Sequence, residues 1–312
     1  HFCSSSTELS ACLMLLWCQL LFASLASSQT ALEHLASVRK DMPSHLAKID
    51  ARLSSAFSGE KPRILVVGDS WGDVVATGSL VGAGWFESRM KKHGCEAESR
   101  SIAVPGTMAS DWKEGEYLAK LKKGAKTHDY VWIILMGNDA LDFTQSSCQG
   151  LSAEKCGDGL YKKMIIDMGQ IVDAVHEANP AAQVVGFGYD TMFGGLGCSL
   201  FTHSMFPQCW GKGVPWGGGH PCFNKQFLRI QAVWDEIASN RSWVDSASIL
   251  GATQVAAGDP KASTGADRHI NMDKMGPAKY WPDYEGCFHP GVLGGDDSGA
   301  AVVMDEFIRV YW

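Results

Sequence analysis

The sequence predicts an α/β protein in which a parallel sheet of about five strands lies between two layers of helices. Short apolar runs of strand length alternate with helical patterns along the chain, as strand–helix–strand units require. The first of these runs, RILVVG at residues 63–68, is apolar on both faces, which is typical of a central parallel strand. Apolar residues make up 46% of the 312 residues and charged residues 20%, so the chain can form a large core.

The individual elements follow from these patterns. The clearest helix is Leu160–Asn179, where apolar residues share one face and Asn179-Pro180 ends the pattern, and the last helix is expected at Ser298–Val310. This alternation predicts a flavodoxin-like, doubly wound sheet in a three-layer α/β/α sandwich. The strand candidates are Ile64–Gly68, Glu98–Val104, Tyr130–Met136, Gln183–Tyr189 and Trp243–Asp245.

The chain divides into three parts. Residues 1–28 resemble a signal peptide, because the apolar run ACLMLLWCQLLFAS at 11–24 is followed by small residues and is shorter than a bilayer span. An uncleaved membrane anchor is the alternative. Residues 29–60 predict a helical lead-in, and 61–312 the main domain, with an insertion at 186–223 rich in Cys, Gly and Trp. We expect this insertion to be an ordered wall of the functional site, although a surface loop explains its composition equally well.

The cysteines outside the signal segment indicate disulfides and therefore secretion, or residence in the lumen of the secretory pathway. Cys148 and Cys156 bracket a short loop and form the favoured pair, whereas Cys95 resembles a buried thiol of a strand. The sequon Asn240-Arg241-Ser242 makes Asn240 a glycosylation candidate. The remaining disulfide candidates, whose connectivity the sequence leaves open, are Cys198, Cys209, Cys222 and Cys287.

A metal site is the rival use of some of these cysteines. Structural zinc sites show closely spaced pairs such as Cys-x-x-Cys, and none occurs here. Disulfides are therefore favoured, and no metal or cofactor is expected. The potential ligands in question are Cys198, His203, Cys209, His220 and Cys222.

Four short motifs carry residues suited to chemistry. Ser70 follows the first strand in Gly-Asp-Ser, Gly106 closes the second, Asn138 lies in Gly-Asn-Asp after the third, and His289-Pro290 precedes the last helix. Because parallel strands end at the same edge of a sheet, Ser70, Gly106 and Asn138 are expected to converge there. Each motif alone is also explained by a helix cap or a turn.

This order of motifs is similar to that of the SGNH, or GDSL-type, hydrolases, and the resemblance extends from about Lys61 to the end of the sequence. It implies a serine esterase or lipase without a cofactor, in which Ser70 is the nucleophile and His289 the general base. It further implies an oxyanion hole made by the backbone N–H groups of Ser70 and Gly106 and the side-chain amide of Asn138.

The sequence departs from the family pattern at three positions. Trp71 replaces the usual Leu after the serine, and Met136 replaces the first Gly of the third motif. The acid expected three residues before the histidine is Gly286. Asp283 is the favoured acid and Glu285 the second choice, and the third possibility is a Ser–His dyad oriented by a backbone carbonyl.

The substrate expected from the resemblance is an ester of a small molecule, a lipid or an acylated carbohydrate. The net charge of −7 argues against a nucleic-acid partner, and no segment predicts a stable membrane span. The alternatives are an O-acyltransferase, a carbohydrate esterase, or a catalytically impaired binding or structural protein on the same scaffold. The sequence leaves the acyl group, the alcohol and the oligomeric state open.

Overall fold

The structure, a computed structural model, describes residues 61–78, 84–142, 151–192, 209, 220–263, 269–281, 289–291 and 297–312. Residues 62–93 and 97–312 belong to one compact unit, which carries every element given below. Lys61 and Gly94–Glu96 belong to a separate unit, in which Lys61 Nζ lies 3.2 Å from Glu96. The predicted signal peptide and helical lead-in lie outside the described residues.

A five-stranded sheet forms the centre of the larger unit. All of its strand pairs are parallel and their order is β2-β1-β3-β4-β5, which is the flavodoxin-like order. The predicted fold class is therefore confirmed. The strands are β1 (Arg63–Gly68), β2 (Glu98–Ser101), β3 (Tyr130–Ile134), β4 (Gln183–Phe187) and β5 (Val244–Ala247).

Helices connect these strands. The helix expected at Leu160–Asn179 is present and begins earlier, at Ala153, where the Ser152 side chain accepts a hydrogen bond from the Lys155 N–H as a cap. The last helix follows Ser298, whose side chain caps it in the same way. The helices in the described residues are α1 (Ser70–Thr77), α2 (Trp85–Lys92), α3 (Ala109–Trp112), α4 (Gly115–Ala125), α5 (Gly137–Asp142), α6 (Ala153–Ala178), α7 (His220–Ser239), α8 (Ala252–Ala256) and α9 (Gly299–Tyr311).

The two faces of the sheet are covered by different helices. On one face Trp132 of β3 contacts Phe86 of α2, with ring centroids 5.2 Å apart, and Phe187 of β4 contacts Phe307 of α9 at 4.2 Å. On the opposite face Leu65 of β1 packs against α4. The alternation of side chains along each strand thus produces the three layers that the sequence predicts.

Gly186 explains why part of the predicted insertion is regular structure. A Cβ at this position would lie 2.0 Å from Cε3 of the buried Trp234, so glycine allows α7 to pack directly on β4. Gly186 and Phe187 belong to β4, and α7 begins at His220, so residues 220–223 are helical. The predicted insertion at 186–223 therefore overlaps β4 at one end and α7 at the other. Among the described residues, no helix is long and apolar enough to cross a membrane.

Candidate active site

The turn that carries Ser70 is fixed by its neighbours in sequence. Asp69 caps α1, and its Oδ1 accepts a hydrogen bond of 2.9 Å from the Trp71 N–H, so Ser70 is the first residue of the helix. A Cβ at Gly68 would lie 2.5 Å from the Ile134 carbonyl oxygen. Glycine is thus required for β1 to turn so close to β3, and this turn leaves the Ser70 side chain half-buried at the sheet edge.

The segment after β3 contains a residue in a rare backbone conformation. Met136 is buried and has a φ of +91°, a value that costs a side-chain-bearing residue about 1–3 kcal/mol. Glycine adopts such a φ without strain, which agrees with the glycine that the motif resembled by this segment has here. The turn directs the chain into α5, so that Asn138 lies at the start of this helix.

Asn138 and Asp139 hold the segment that follows β2. The Asn138 Nδ2 group donates to the Thr107 carbonyl oxygen at 2.9 Å, and Asp139 Oδ2 accepts from the Ala109 N–H at 2.9 Å. Gly106, which precedes Thr107, is exposed and has a φ of +84°. Asn138 therefore has a structural hydrogen bond beyond the role expected from the sequence, and this bond brings the Gly106–Thr107 segment close to it.

His289 reaches the site in a segment that is held on both sides. The Gly291 N–H donates to the Tyr280 carbonyl oxygen at 2.9 Å, and the Ala300 N–H donates to the Gly291 carbonyl oxygen at 3.0 Å. Next to Tyr280, the Trp281 ring packs on Trp71, with centroids 5.4 Å apart. These contacts connect the histidine segment to the residue that follows Ser70.

An open cavity lies at the carboxyl ends of the strands, as expected for an open α/β sheet. Ser70, Asn138 and His289 all line it, although they come from distant parts of the sequence. Gly106 is not among the lining residues. The candidate acids Asp283 and Glu285, like Gly286, lie outside the described residues.

Asp69 and Tyr189 form a buried pair in the wall of this cavity. The Tyr189 hydroxyl donates to Asp69 Oδ2 at 2.5 Å, and both side chains are almost completely buried. Burial raises the pKa of Asp69 from an ordinary 3.8 to about 7, against the opposing effect of the hydrogen bonds from Tyr189 and Trp71. Burial likewise raises the pKa of Tyr189 well above 10. This pair was not predicted from the sequence, although Asp69 directly follows β1 and Tyr189 lies two residues after the end of β4, at the same edge of the sheet.

A second buried carboxyl supports the segment that precedes His289. Asp190 accepts hydrogen bonds from the Gly251 N–H at 2.8 Å and from both the N–H and the hydroxyl of Thr253, at 2.7 and 2.6 Å. Burial raises its pKa to about 6. The Thr253 hydroxyl oxygen in turn accepts from Trp281 Nε1 at 3.2 Å, so Asp190 fixes the residue that packs on Trp71.

The cysteines agree in part with the expectations. Cys209 and Cys222 form a disulfide with a Cα–Cα distance of 5.3 Å, which removes both thiols from the rival metal site. Cys156 is disulfide-bonded, as its place among the disulfide candidates predicts, and its pairing with Cys148 stays a prediction. Cys95 is also disulfide-bonded, so its interpretation as a buried thiol was wrong. Cys148, Cys198, Cys287 and His203 lie outside the described residues.

Two further predicted features can be placed. Asn240 is exposed at the end of α7, where its Nδ2 group donates to the Glu236 carbonyl oxygen at 2.9 Å. Within the described ranges, no group of three or more His, Cys, Asp or Glu side chains is arranged to hold a metal ion.

No protein-family model and no curated protein sequence matches this chain. The solved structures that it resembles include the extracellular lipase from Streptomyces rimosus, with 20% identity, a TM-score of 0.45 and coverage of 79% of this chain and 99% of that one. Another is phospholipase A1 from Streptomyces albidoflavus NA297, with 17% identity, a TM-score of 0.43 and coverage of 80% and 100%.

We predict that replacing Asp69 by Asn changes the pH dependence of stability. Because the pKa of Asp69 is about 7 in the folded protein and near 3.8 when unfolded, its protonation stabilises the fold fully below pH 4, and this contribution is lost as the pH rises through 7. The free energy of unfolding of the wild type, minus that of Asp69→Asn, should therefore fall by up to about 1.4 kcal/mol per pH unit between pH 5 and 7. Urea unfolding at several pH values measures this difference in free energy. A difference that is constant or rises with pH contradicts the raised pKa of Asp69.

Proposed function

We propose that this protein is a secreted serine hydrolase of the SGNH type, which cleaves carboxylic esters through an acyl-enzyme on Ser70. The observation that carries the proposal is that Ser70, Asn138 and His289 line one cavity. A hydroxyl, an imidazole and a neutral amide donor are the groups that acyl transfer requires. The proposed reaction uses no cofactor.

In the first half of the reaction, Ser70 Oγ attacks the ester carbonyl carbon while His289 takes the hydroxyl proton. The bond between the carbonyl carbon and the alcohol oxygen then breaks, and His289 gives its proton to the departing alcohol. In the second half, water attacks the acyl-enzyme, His289 takes a proton from it, and that proton returns to Ser70 Oγ as the acid leaves. If another alcohol replaces water, the same steps give O-acyl transfer.

The negative charge on the carbonyl oxygen is assigned to three donors: the backbone N–H groups of Ser70 and Gly106 and the side-chain amide of Asn138. A primary amide carries two hydrogens, so the bond from Asn138 to the Thr107 carbonyl leaves one for the substrate. The same bond brings the segment with Gly106 toward Asn138. Each such donor contributes on the order of 3 kcal/mol to transition-state stabilisation.

The orienting acid is assigned to Asp283, with Glu285 as the second choice and a backbone carbonyl as the third. The hydrogen bond between the Gly291 N–H and the Tyr280 carbonyl supports this assignment, because it joins the two sides of the segment that contains both carboxyls and His289. The acid would hold the imidazole tautomer and stabilise the imidazolium ion.

Secretion is supported by the disulfides, since such bonds persist in oxidising compartments. Cys209 is bonded to Cys222, and Cys95 and Cys156 are also oxidised. The proposed signal peptide over residues 1–28 and glycosylation at the exposed Asn240 belong to the same proposal.

We predict that Ser70→Ala lowers kcat/KM for p-nitrophenyl butyrate at least about a thousandfold, because the nucleophile is lost while binding and the oxyanion donors remain. The matched control is Ser239→Ala, which removes an exposed serine at the end of α7 and should retain the wild-type rate. Equal rates for Ser70→Ala and the wild type would exclude Ser70 as the nucleophile and favour a binding or structural protein.

We further predict that Asp283→Asn lowers kcat at least about a hundredfold, whereas Glu285→Gln lowers it less than about tenfold. Steady-state kinetics of the two variants on the same ester test the ranking. The reverse ranking would move the role to Glu285, and two fully active variants would indicate a Ser–His dyad.

A further inference from the structure

The cavity that contains Ser70 has an apolar wall contributed by α7. Phe223 and Phe227 lie one turn apart on this helix, with ring centroids 5.5 Å apart in an edge-to-face arrangement, and both line the cavity. Met192, which follows β4, and Leu141 of α5 line it as well. Phe223 and Phe227 together form a surface that we call the Phe wall.

The polar lining residues other than the proposed reacting groups are already bonded within the protein. Gln226 donates from Nε2 to the Cys222 carbonyl at 3.1 Å, and its Oε1 accepts from Arg229 Nη1 at 3.1 Å. The Tyr189 hydroxyl donates to Asp69. Recognition of a sugar needs several such groups directed at its hydroxyls, whereas the described wall presents carbon surface.

The Phe wall is held rigidly from both sides of α7. The disulfide from Cys209 to Cys222 ends at the residue next to Phe223. The buried Asn224 donates from Nδ2 to the carbonyl oxygens of Met272 and Lys274, at 3.1 and 2.7 Å. A wall held in this way binds an apolar chain with little loss of side-chain entropy.

We propose that the Phe wall binds the acyl chain of the substrate, so that the protein prefers esters of acids with several carbons over acetate esters. This inference rests on the proposed function, in which the acyl group becomes attached to Ser70. The acyl chain, unlike the alcohol, stays in the cavity through both halves of the reaction. Contact with it therefore stabilises both transition states, and each methylene that leaves water adds about three- to fourfold to kcat/KM.

The test compares p-nitrophenyl acetate, butyrate and hexanoate, and separately acetates of alcohols of increasing length. In the wild type, kcat/KM should rise at least about tenfold from acetate to hexanoate, and less along the alcohol series. Phe227→Ala should reduce the hexanoate-to-acetate ratio about tenfold, and Phe227→Leu, which keeps an apolar side chain and more of the volume, should reduce it less. Leu228→Ala, at the exposed neighbour on α7, should keep the wild-type ratio.

A binding measurement separates this inference from the proposed function. Calorimetric titration of the Ser70→Ala variant with the acetate and hexanoate anions should show tighter binding of hexanoate. Adding Phe227→Ala to this variant should remove the difference in affinity. If esters are hydrolysed through Ser70 but neither the kinetic ratio of hexanoate to acetate nor the difference in affinity depends on Phe227, only the inference about the Phe wall is overturned. If hexanoate binds at the Phe wall and no ester is hydrolysed, the proposed chemistry fails and the wall remains. A preference that follows alcohol length instead would also overturn the inference.

Discussion

The geometry of the candidate site depends on the buried carboxyl of Asp69. This group receives the Trp71 N–H, the Tyr189 hydroxyl and the backbone N–H of Gly137, and so connects the ends of β1, β3 and β4. Gly137 can approach because it has no side chain, since a Cβ there would lie 2.7 Å from the Tyr189 ring. A carboxyl in apolar surroundings is costly unless its oxygens are bonded, so its three donors are held in place together with it. Ser70 precedes Trp71 and Asn138 follows Gly137, so both are positioned as a consequence.

A second series of contacts extends from this centre to the histidine. Asp190, directly after Tyr189, binds Thr253, which accepts from the Trp281 indole, and Trp281 packs on Trp71. The segment with His289 is therefore held by the same sheet edge that holds Ser70. Two neighbouring residues at the end of β4, Tyr189 and Asp190, thus support the two halves of the site. We infer that the proposed acyl transfer depends on this shared support as much as on the reacting groups.

The sequence was sufficient to predict the parallel sheet and which polar residues follow its strands. Apolar runs such as RILVVG reveal a parallel sheet because both faces are buried, and turns after such strands mark the functional edge. The pairing of Tyr189 with Asp69 could not be predicted, because it depends on the distance between two strands that are not sequential. The strand candidate Gln183–Tyr189 included Gly186, but the reason for a glycine there, the close approach of the Trp234 ring, is visible only in the structure. Met136 was recognised as unusual from its motif, but its positive φ is visible only in the structure.

We propose that Ser70 and His289 act on one substrate within a single cavity. The most direct test is to treat the protein with a hexyl fluorophosphonate and to analyse its peptides by mass spectrometry. In this reaction a serine oxygen displaces fluoride from phosphorus. We predict one adduct, on Ser70, formed at least about a hundredfold more slowly in His289→Ala. Labelling that is absent, that falls on another residue, or that proceeds equally fast without His289 would contradict it.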